Sequence, residues 1–365
     1  MESLFKGIYK DKRVLVTGHT GFKGSWLVLW LNEMGAHVAG LSKDKPTNPC
    51  HADLINSNLE SAIIDIRDKQ LLTEYVQSFQ PEIVFHLAAQ ALVRVSYKDP
   101  YETYTSNVIG SLNVYEACRL SNSVKAIVSI TTDKVYKNKE SIDGYDENDE
   151  LGGYDPYSAS KACAEILTSS YRDSFLNLKK YKHDHNILMA TARAGNVIGG
   201  GDWAEDRLIP DIARAAYRNE EVIIRNPDAT RPWQHVLEPL AGYLILGQKL
   251  LEKKVEYSGA WNFGPTNNDG ITVEDILKIV QEKWNGFNYK IKPDISIMHE
   301  TKLLLLDSSK ATKFLDWQPI WDKDPIEPTI EWYKKYYLEN NVISVEQLNS
   351  YVENAINKGL AWTKK

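Results

Sequence analysis

The sequence predicts an α/β protein built on a doubly wound parallel sheet, with a smaller mixed half at the C-terminal side. Three observations carry that expectation. A short apolar run, Val14 to Thr17, leads into three glycines spaced three apart, Gly18, Gly21 and Gly24, and then into a helical pattern. Apolar strands alternate with helices from there to about residue 194, the signature of parallel strands joined by crossover helices. After Gly195 the alternation gives way to short mixed elements and to turns rich in Trp and Tyr.

The first unit sets the plan. A continuous apolar run of this length is a buried strand of parallel-sheet type. Gly18 supplies a tight turn, Gly21 the close approach of a pyrophosphate, and Gly24 the packing of helix on strand. Backbone N–H groups from Thr20 through Phe22 and Lys23 would face phosphates at the helix N-terminus, where the dipole favours negative charge. The stretch therefore predicts a Rossmann-type dinucleotide site with Gly-x-x-Gly-x-x-Gly spacing.

The remaining elements follow in order. A helix over 22–34 ends at Gly35, and a strand over 36–41 follows. A carboxylate at that strand's end would bind the adenosine ribose of NAD, but the chain has Ser42-Lys43-Asp44 there. Asp44 comes late and Lys43 suits a 2′-phosphate, so NAD and NADP both stay open on these residues. A third strand over 62–66 puts Asp65 and Ile66 where an adenine would rest; a carboxylate at a helix N-terminus is the other reading of Asp65. A helix over 69–79 precedes a fourth strand over 83–90. Its small residues, Leu87-Ala88-Ala89 before Gln90, allow either a cofactor or a helix to lie close to the backbone. A helix over 107–120, a strand over 125–130, a helix over 156–175 and a strand over 187–193 complete the first half. Residues 1–195 are the dinucleotide-binding domain, 196–365 mostly a substrate domain, and 236–264 pack back onto the first. Within the second half, helices are expected over 210–219 and 236–251, strands over 222–224 and 261–264, and a capping box at Thr272.

The chemistry is concentrated after the fifth strand. Tyr157 and Lys161 lie four apart behind Pro156, on one helix face. A free phenol titrates at about 10, and a neighbouring ammonium favours the phenolate. Such a Tyr can take a hydroxyl proton during hydride transfer. Thr132 ends the fifth strand and can bond the same oxygen. Asp133 and Lys134 follow it directly. Hydride transfer alone needs neither, whereas elimination of water needs an acid for the leaving hydroxyl and a base for a carbon-bound proton.

Composition narrows the alternatives. Net charge is −6 with no basic block, which argues against nucleic acid. No apolar run spans a bilayer, so no membrane role is expected. Cys50, Cys118 and Cys163 are few and far apart, as for reduced thiols in a cytoplasm, and the start of the chain has no signal-peptide pattern. His183-Asp184-His185 lies in a polar loop without a further ligand nearby, so no metal is expected.

Taken together, Gly-His-Thr-Gly-Phe-Lys-Gly-Ser-Trp (18–26), Thr-Thr-Asp-Lys-Val-Tyr (131–136), Tyr-Ser-Ala-Ser-Lys (157–161) and Arg-Ala-Gly-Asn-Val-Ile-Gly-Gly-Gly-Asp-Trp (193–203) resemble the nucleotide-sugar 4,6-dehydratases of the extended short-chain dehydrogenase/reductase group. Within it the chain is most similar to the subgroup acting on CDP-glucose, which carries Lys at position 134 where the dTDP-glucose and GDP-mannose subgroups carry Glu; Arg231-Pro232-Trp233-Gln234-His235-Val236 fits the same subgroup. The resemblance covers nearly the whole chain. It implies tightly held NAD, with Gly18, Thr20, Gly21, Phe22, Lys23, Gly24, Ser42, Asp65, Ile66, Leu87, Ala88, Ala89, Asn107, Tyr157 and Lys161 around it.

It also implies a substrate, CDP-glucose, and a route. Tyr157, supported by Thr132 and Lys161, takes the C4 hydroxyl proton; Lys134 takes the C5 proton; Asp133 protonates the departing C6 hydroxyl. Hydride stored from C4 then returns to C6, with a proton delivered to C5, and the product is CDP-4-dehydro-6-deoxy-D-glucose, a precursor for deoxysugar and surface polysaccharide (lipopolysaccharide O-antigen) biosynthesis. Arg231 is first choice for the diphosphate and Asn196 second, with Arg193, Arg207 and Arg225 behind them; Gln90, Arg94 and Ser96 line the sugar. A homodimer through the helices near 107–120 and 156–175 is expected, with a tetramer as a higher assembly. Two rival readings are a nucleotide-sugar 4-epimerase, which would not need Asp133 or Lys134, and a non-catalytic NAD(P) sensor, which would tolerate loss of Tyr157 or Lys161.

Overall fold

In a computed structural model, the structure describes residues 1–205, 207–224, 226–266, 271–284, 287–292, 304–322 and 324–364. Seven parallel strands form the central sheet: β1 (Arg13–Thr17), β2 (His37–Ser42), β3 (Leu59–Ile63), β4 (Ile83–His86), β5 (Ala126–Ile130), β6 (Leu188–Ala194) and β7 (Ala260–Phe263). Their order across the sheet is β7-β6-β5-β4-β1-β2-β3. The winding reverses between β1 and β4, which opens a crevice at the strands' carboxyl ends. Four central strands are buried on both faces, β4, β5 and β6 entirely, which is why they read as largely apolar runs.

Helices cover both faces: α1 (Phe22–Glu33), α2 (Lys69–Phe79), α3 (Pro100–Tyr104), α4 (Gly110–Arg119), α5 (Pro156–Ser174), α6 (Leu208–Arg218), α7 (Leu237–Leu251), α8 (Val273–Lys283), α9 (Ile326–Glu339) and α10 (Ser344–Asn357). One apolar cluster lies between the sheet and α1, α7 and the C-terminal helices, a second lies under α2, α4 and α5, and a small third gathers Val135, Tyr136, Tyr145, Ala162 and Leu306. α7 is buried almost all round and packs on β5 and β6. Thr272 caps α8, its hydroxyl accepting from the Asp275 N–H at 3.0 Å and donating to the Asp275 carboxylate at 2.6 Å.

The structure differs from the sequence-based expectation at three places. The third strand is Leu59–Ile63 rather than 62–66, because its register against β2 pairs Val38 with Leu59 and Ser42 with Ile63. It is the edge strand, so polar Glu60 and Ser61 are tolerated and apolarity misplaces it. The fourth strand stops at His86, and residues 87–90 form a loop. The helix expected from 107 starts instead at Pro100, where the Asp99 carboxylate caps the Glu102 N–H at 2.8 Å. It passes through a π turn, Thr105–Ile109, before α4. Such turns are common at functional sites, and this one carries Asn107.

Candidate active site

The glycine turn is as tight as its spacing requires. Gly18 has φ +75°, and a Cβ there would stand 2.8 Å from the Ala88 backbone. A Cβ on Gly24 would stand 2.1 Å from the Gly18 carbonyl, so this glycine packs α1 against the turn itself rather than against the strand. Gly21 precedes α1 with no side chain capping the helix, which leaves first-turn N–H groups open for a pyrophosphate. The backbone of Leu87 and Ala88 receives Gly18, so close packing of the phosphate-binding turn is one use of this stretch. The Thr20 N–H donates to Ser42 Oγ (3.3 Å), and its hydroxyl donates to the Asp44 carbonyl (2.7 Å). His19, absent from the sequence-based expectations, covers Gly40 and bonds Ser42 Oγ (3.0 Å) and Ser61 Oγ (2.8 Å).

Asp65 accepts from the Arg67 guanidinium, and the Asp68 carboxylate, not Asp65, caps α2 at the Leu71 N–H. Ile66 packs where a Cβ on Gly110 would fall. Asn107 holds the loop after β4: its Oδ1 accepts from the Gln90 N–H (2.8 Å), and its Nδ2 donates to the Gln90 carbonyl (3.0 Å) and to Ser160 Oγ (2.8 Å).

Thr132, Asp133, Lys134, Tyr157 and Lys161 converge at the carboxyl end of β5. Asp155 caps α5 and Pro156 opens it, which sets Tyr157 in the first turn with its phenol in reach of the Thr132 hydroxyl. The Thr132 hydroxyl donates to Asp133 Oδ1 (2.8 Å), and Lys134 Nζ stands 3.4 Å from the same oxygen. An Asp-Lys pair in an exposed turn would be unremarkable, but Asp133 is 2% exposed and a Cβ on Gly195 would lie 3.1 Å from its Oδ2. Lys134 is half-buried.

One expectation is corrected. The phenol was expected to be acidified by its neighbouring ammonium, yet burial pushes Tyr157 up to about 12. Lys161 Nζ instead donates to the Ile130 carbonyl (3.0 Å), and burial brings its pKa down to about 8. Desolvation is the largest influence on both groups because both lie inside the protein. Lys23 reaches the same pocket from α1, with Nζ 3.5 Å from the Tyr243 hydroxyl; burial, then the nearby Arg207, lower it to about 7. Arg207, which also favours the Tyr157 phenolate, bonds Asp202 at 3.1 Å.

The remaining predicted substrate residues are less gathered. Gln90 spends its amide on Leu92 in its own loop and on the Thr103 hydroxyl of α3. Ser96 is buried and donates to the Val93 carbonyl (2.6 Å), while Arg94 lies on the exposed face of the same short helix. Asn196 is half-buried, and its carbonyl accepts from the Gln234 N–H. Arg231 is in a two-residue strand paired with Ile271, and its side chain lies outside the described residues, as does all of Arg225. Arg193 is unavailable to a diphosphate, because it is buried in a bidentate pair with Glu165. Glu165 was missed, although it continues the face of Tyr157 and Lys161 by one more turn. Among the described residues no group of three or more His, Cys, Asp or Glu side chains is placed to hold a metal, and no helix is long and apolar enough to cross a membrane.

Residues 15–325 match the GDP-mannose 4,6-dehydratase family. The chain belongs to that family. Over 352 residues, 95% of this chain and 98% of the relative, it is 47% identical to a CDP-glucose 4,6-dehydratase of Salmonella typhimurium. It is 24% identical to a CDP-paratose 2-epimerase of Salmonella typhi, over 88% of this chain and 98% of that one. Two solved structures share the fold at 24% identity: an epimerase from Methanothermobacter thermautotrophicus (TM-score 0.78, 91% of this chain and 94% of that one) and a Thermus thermophilus UDP-glucose 4-epimerase in complex with NAD (TM-score 0.74, 88% and 99%).

Proposed function

We propose that the protein is a hydro-lyase that converts CDP-D-glucose to CDP-4-dehydro-6-deoxy-D-glucose and water. The observation that carries this reading is the buried Asp133 with Lys134 beside it, next to Thr132 and Tyr157. A 4-epimerase works by hydride transfer and rotation alone, and has no task for that acid and amine. The 47% identical relative supports the CDP-glucose assignment.

The glycine cradle and the uncapped start of α1 fit a dinucleotide pyrophosphate, and Tyr157, Lys161 and Asn107 fit the nicotinamide end. NAD bound there supplies a reversible hydride store, so the net change is loss of water alone. Tyr157 accepts the C4 hydroxyl proton while Thr132 bonds that oxygen. The buried phenol needs added positive charge to do so; Arg207 is the cation that favours its phenolate, and Lys161, one helical turn on, is the second cation assigned to it. With a ketone at C4 the C5 proton is acidic; Lys134 removes it and Asp133 delivers a proton to the leaving C6 hydroxyl, and return of the stored hydride to C6 with a proton given back at C5 completes the 6-deoxy product. Arg207, Arg231, Arg225 and Asn196 hold the diphosphate, and Arg94 lies beside the sugar; Gln90 and Ser96 shape the wall through their backbone.

Residues 1–195 with 236–264 form the cofactor half, and the rest of 196–365 the nucleotide-sugar half. Exposed Tyr101, Ile109 and Ile166, on the helical segment from Pro100 to Arg119 and on α5, support a homodimer. We place the enzyme in the cytoplasm, in a route to deoxysugars of surface polysaccharide such as O-antigen. The test is a mass and ultraviolet assay with CDP-glucose beside UDP-, dTDP- and GDP-sugars, without added reductant. Loss of one water with a base-sensitive keto-sugar chromophore from CDP-glucose alone is expected. A galactose epimer without mass change would make the protein an epimerase. Dehydration of another nucleotide sugar would keep the mechanism and overturn the cytosine assignment.

A further inference from the structure

The carboxyl end of β2 lacks the carboxylate that a dinucleotide fold ordinarily places against the adenosine ribose, and Lys43 stands there instead. A lone cation at this position would invite a 2′-phosphate. The structure surrounds it. Lys43 Nζ donates to Glu102 Oε1 at 2.7 Å, and the other Glu102 oxygen accepts from the Arg67 guanidinium. Arg67 also donates through Nε to Asp65 Oδ1 at 3.0 Å. Four groups from three segments thus share one patch: Lys43 after β2, Asp65 and Arg67 after β3, and Glu102 from α3. Two cations face two carboxylates, so their formal charges cancel. The Thr20 hydroxyl on the Asp44 carbonyl ties this patch to the phosphate-binding turn.

We propose that Glu102 excludes 2′-phosphorylated dinucleotides, by neutralising the two cations that would otherwise recognise the phosphate. Glu102 is the member that touches both cations, so it alone closes the set. Its carboxyl is held below the usual range, first by the Lys43 hydrogen bond, and stays ionised at neutral pH. A 2′-phosphate brought to this patch would meet Glu102 and Asp65 while finding both cations already paired; a 2′-hydroxyl carries no charge and meets no such repulsion. The assignment rests on the NAD reading above.

The experiment is calorimetric titration of the purified protein, first freed of any dinucleotide it carries, with NAD and with NADP, for wild type, Glu102→Gln, Glu102→Asp and the double variant Lys43→Ala with Glu102→Gln. Wild type is expected to bind NADP at least about tenfold more weakly than NAD, and Glu102→Gln to narrow that ratio by about tenfold through tighter NADP binding. Glu102→Asp keeps the charge and should keep most of the discrimination. The double variant also removes Lys43, while Arg67 keeps its pairing with Asp65, and should return NADP to weak binding. An unchanged ratio in Glu102→Gln, with NAD binding retained, would overturn the assignment alone. Equal binding of both dinucleotides by wild type would overturn it too. Failure of wild type to bind either would overturn the cofactor reading and the assignment with it.

Discussion

Glu165 and Arg193 form a buried bidentate pair beneath the catalytic strand end, with Arg193 Nε 3.0 Å from Glu165 Oε1 and Nη2 2.9 Å from Oε2. The Glu165 carboxylate also accepts from Thr131 Oγ1 (2.5 Å) and Thr191 Oγ1 (2.9 Å), and Arg193 Nη1 donates to the Tyr136 hydroxyl (2.7 Å). One carboxylate thus joins α5, β5 and β6 at the residue before Thr132. Removing one partner strands a buried charge. Arg193→Met is expected to cost about 3–5 kcal/mol, and urea denaturation of variant and wild type would measure it. A loss below about 1 kcal/mol would show that water reaches the pair.

Lys134→Ala should end elimination while sparing part of the first oxidation, because Thr132, Tyr157 and Lys161 stay intact. Incubation with CDP-glucose would then give the absorbance of reduced dinucleotide without a mass loss of one water. Full turnover by the variant would remove Lys134 from the role of base. Asp133→Asn should slow the departure of the C6 hydroxyl by about 100-fold or more, the usual share of a general acid.

Lys161 sets an alkaline limit. Burial disfavours its ammonium and brings its pKa down to about 8, well below that of a free lysine. Activity that depends on this cation should fall as pH rises through about 8. Lys161→Arg supplies a cation that does not titrate in this range, and should flatten that limb of the kcat/KM profile even if its maximum is lower. For stability the sign is opposite: between about 8 and 10.5 the unfolded chain binds more protons at this site, so this site's contribution to folding free energy grows as pH rises across that window.

Gly24→Ala would place a Cβ 2.1 Å from the Gly18 carbonyl, against backbone that cannot swing aside. The turn must open, at a cost of about 1–3 kcal/mol in stability. Dinucleotide affinity should fall more than stability does, which calorimetry on the folded variant would show. Gly21→Ala, with 3.2 Å to the same carbonyl, should be milder.

Ile166 is 59% exposed on α5, and Tyr101 79% exposed on α3. If these helices pair across a two-fold axis, Ile166→Arg puts one uncompensated charge from each protomer into the interface, and should shift the protein from dimer to monomer in light scattering. An unchanged mass would move the interface elsewhere.

Much of this protein was written locally. The glycine turn, the continuous apolar strands, and Tyr157 and Lys161 one turn apart all depend on neighbours in sequence, where spacing alone dictates geometry. Thr132-Asp133-Lys134 was legible for the same reason, since three consecutive residues at a strand end must share a site. What spacing did not carry is what long-range contacts decide. The third strand was misplaced because an edge strand takes its register from its partner. The Tyr157 phenol was expected to be acidified, yet burial, a property of the whole fold, raised it. Arg193 looked like a diphosphate ligand until Glu165, 28 residues earlier, took its charge. Lys43 looked like a 2′-phosphate ligand until Glu102, 59 residues later, did the same. Sequence fixes which charges exist, but only tertiary packing decides which of them remain unpaired, because a charge is spent on whatever opposite charge the fold brings within a few ångströms.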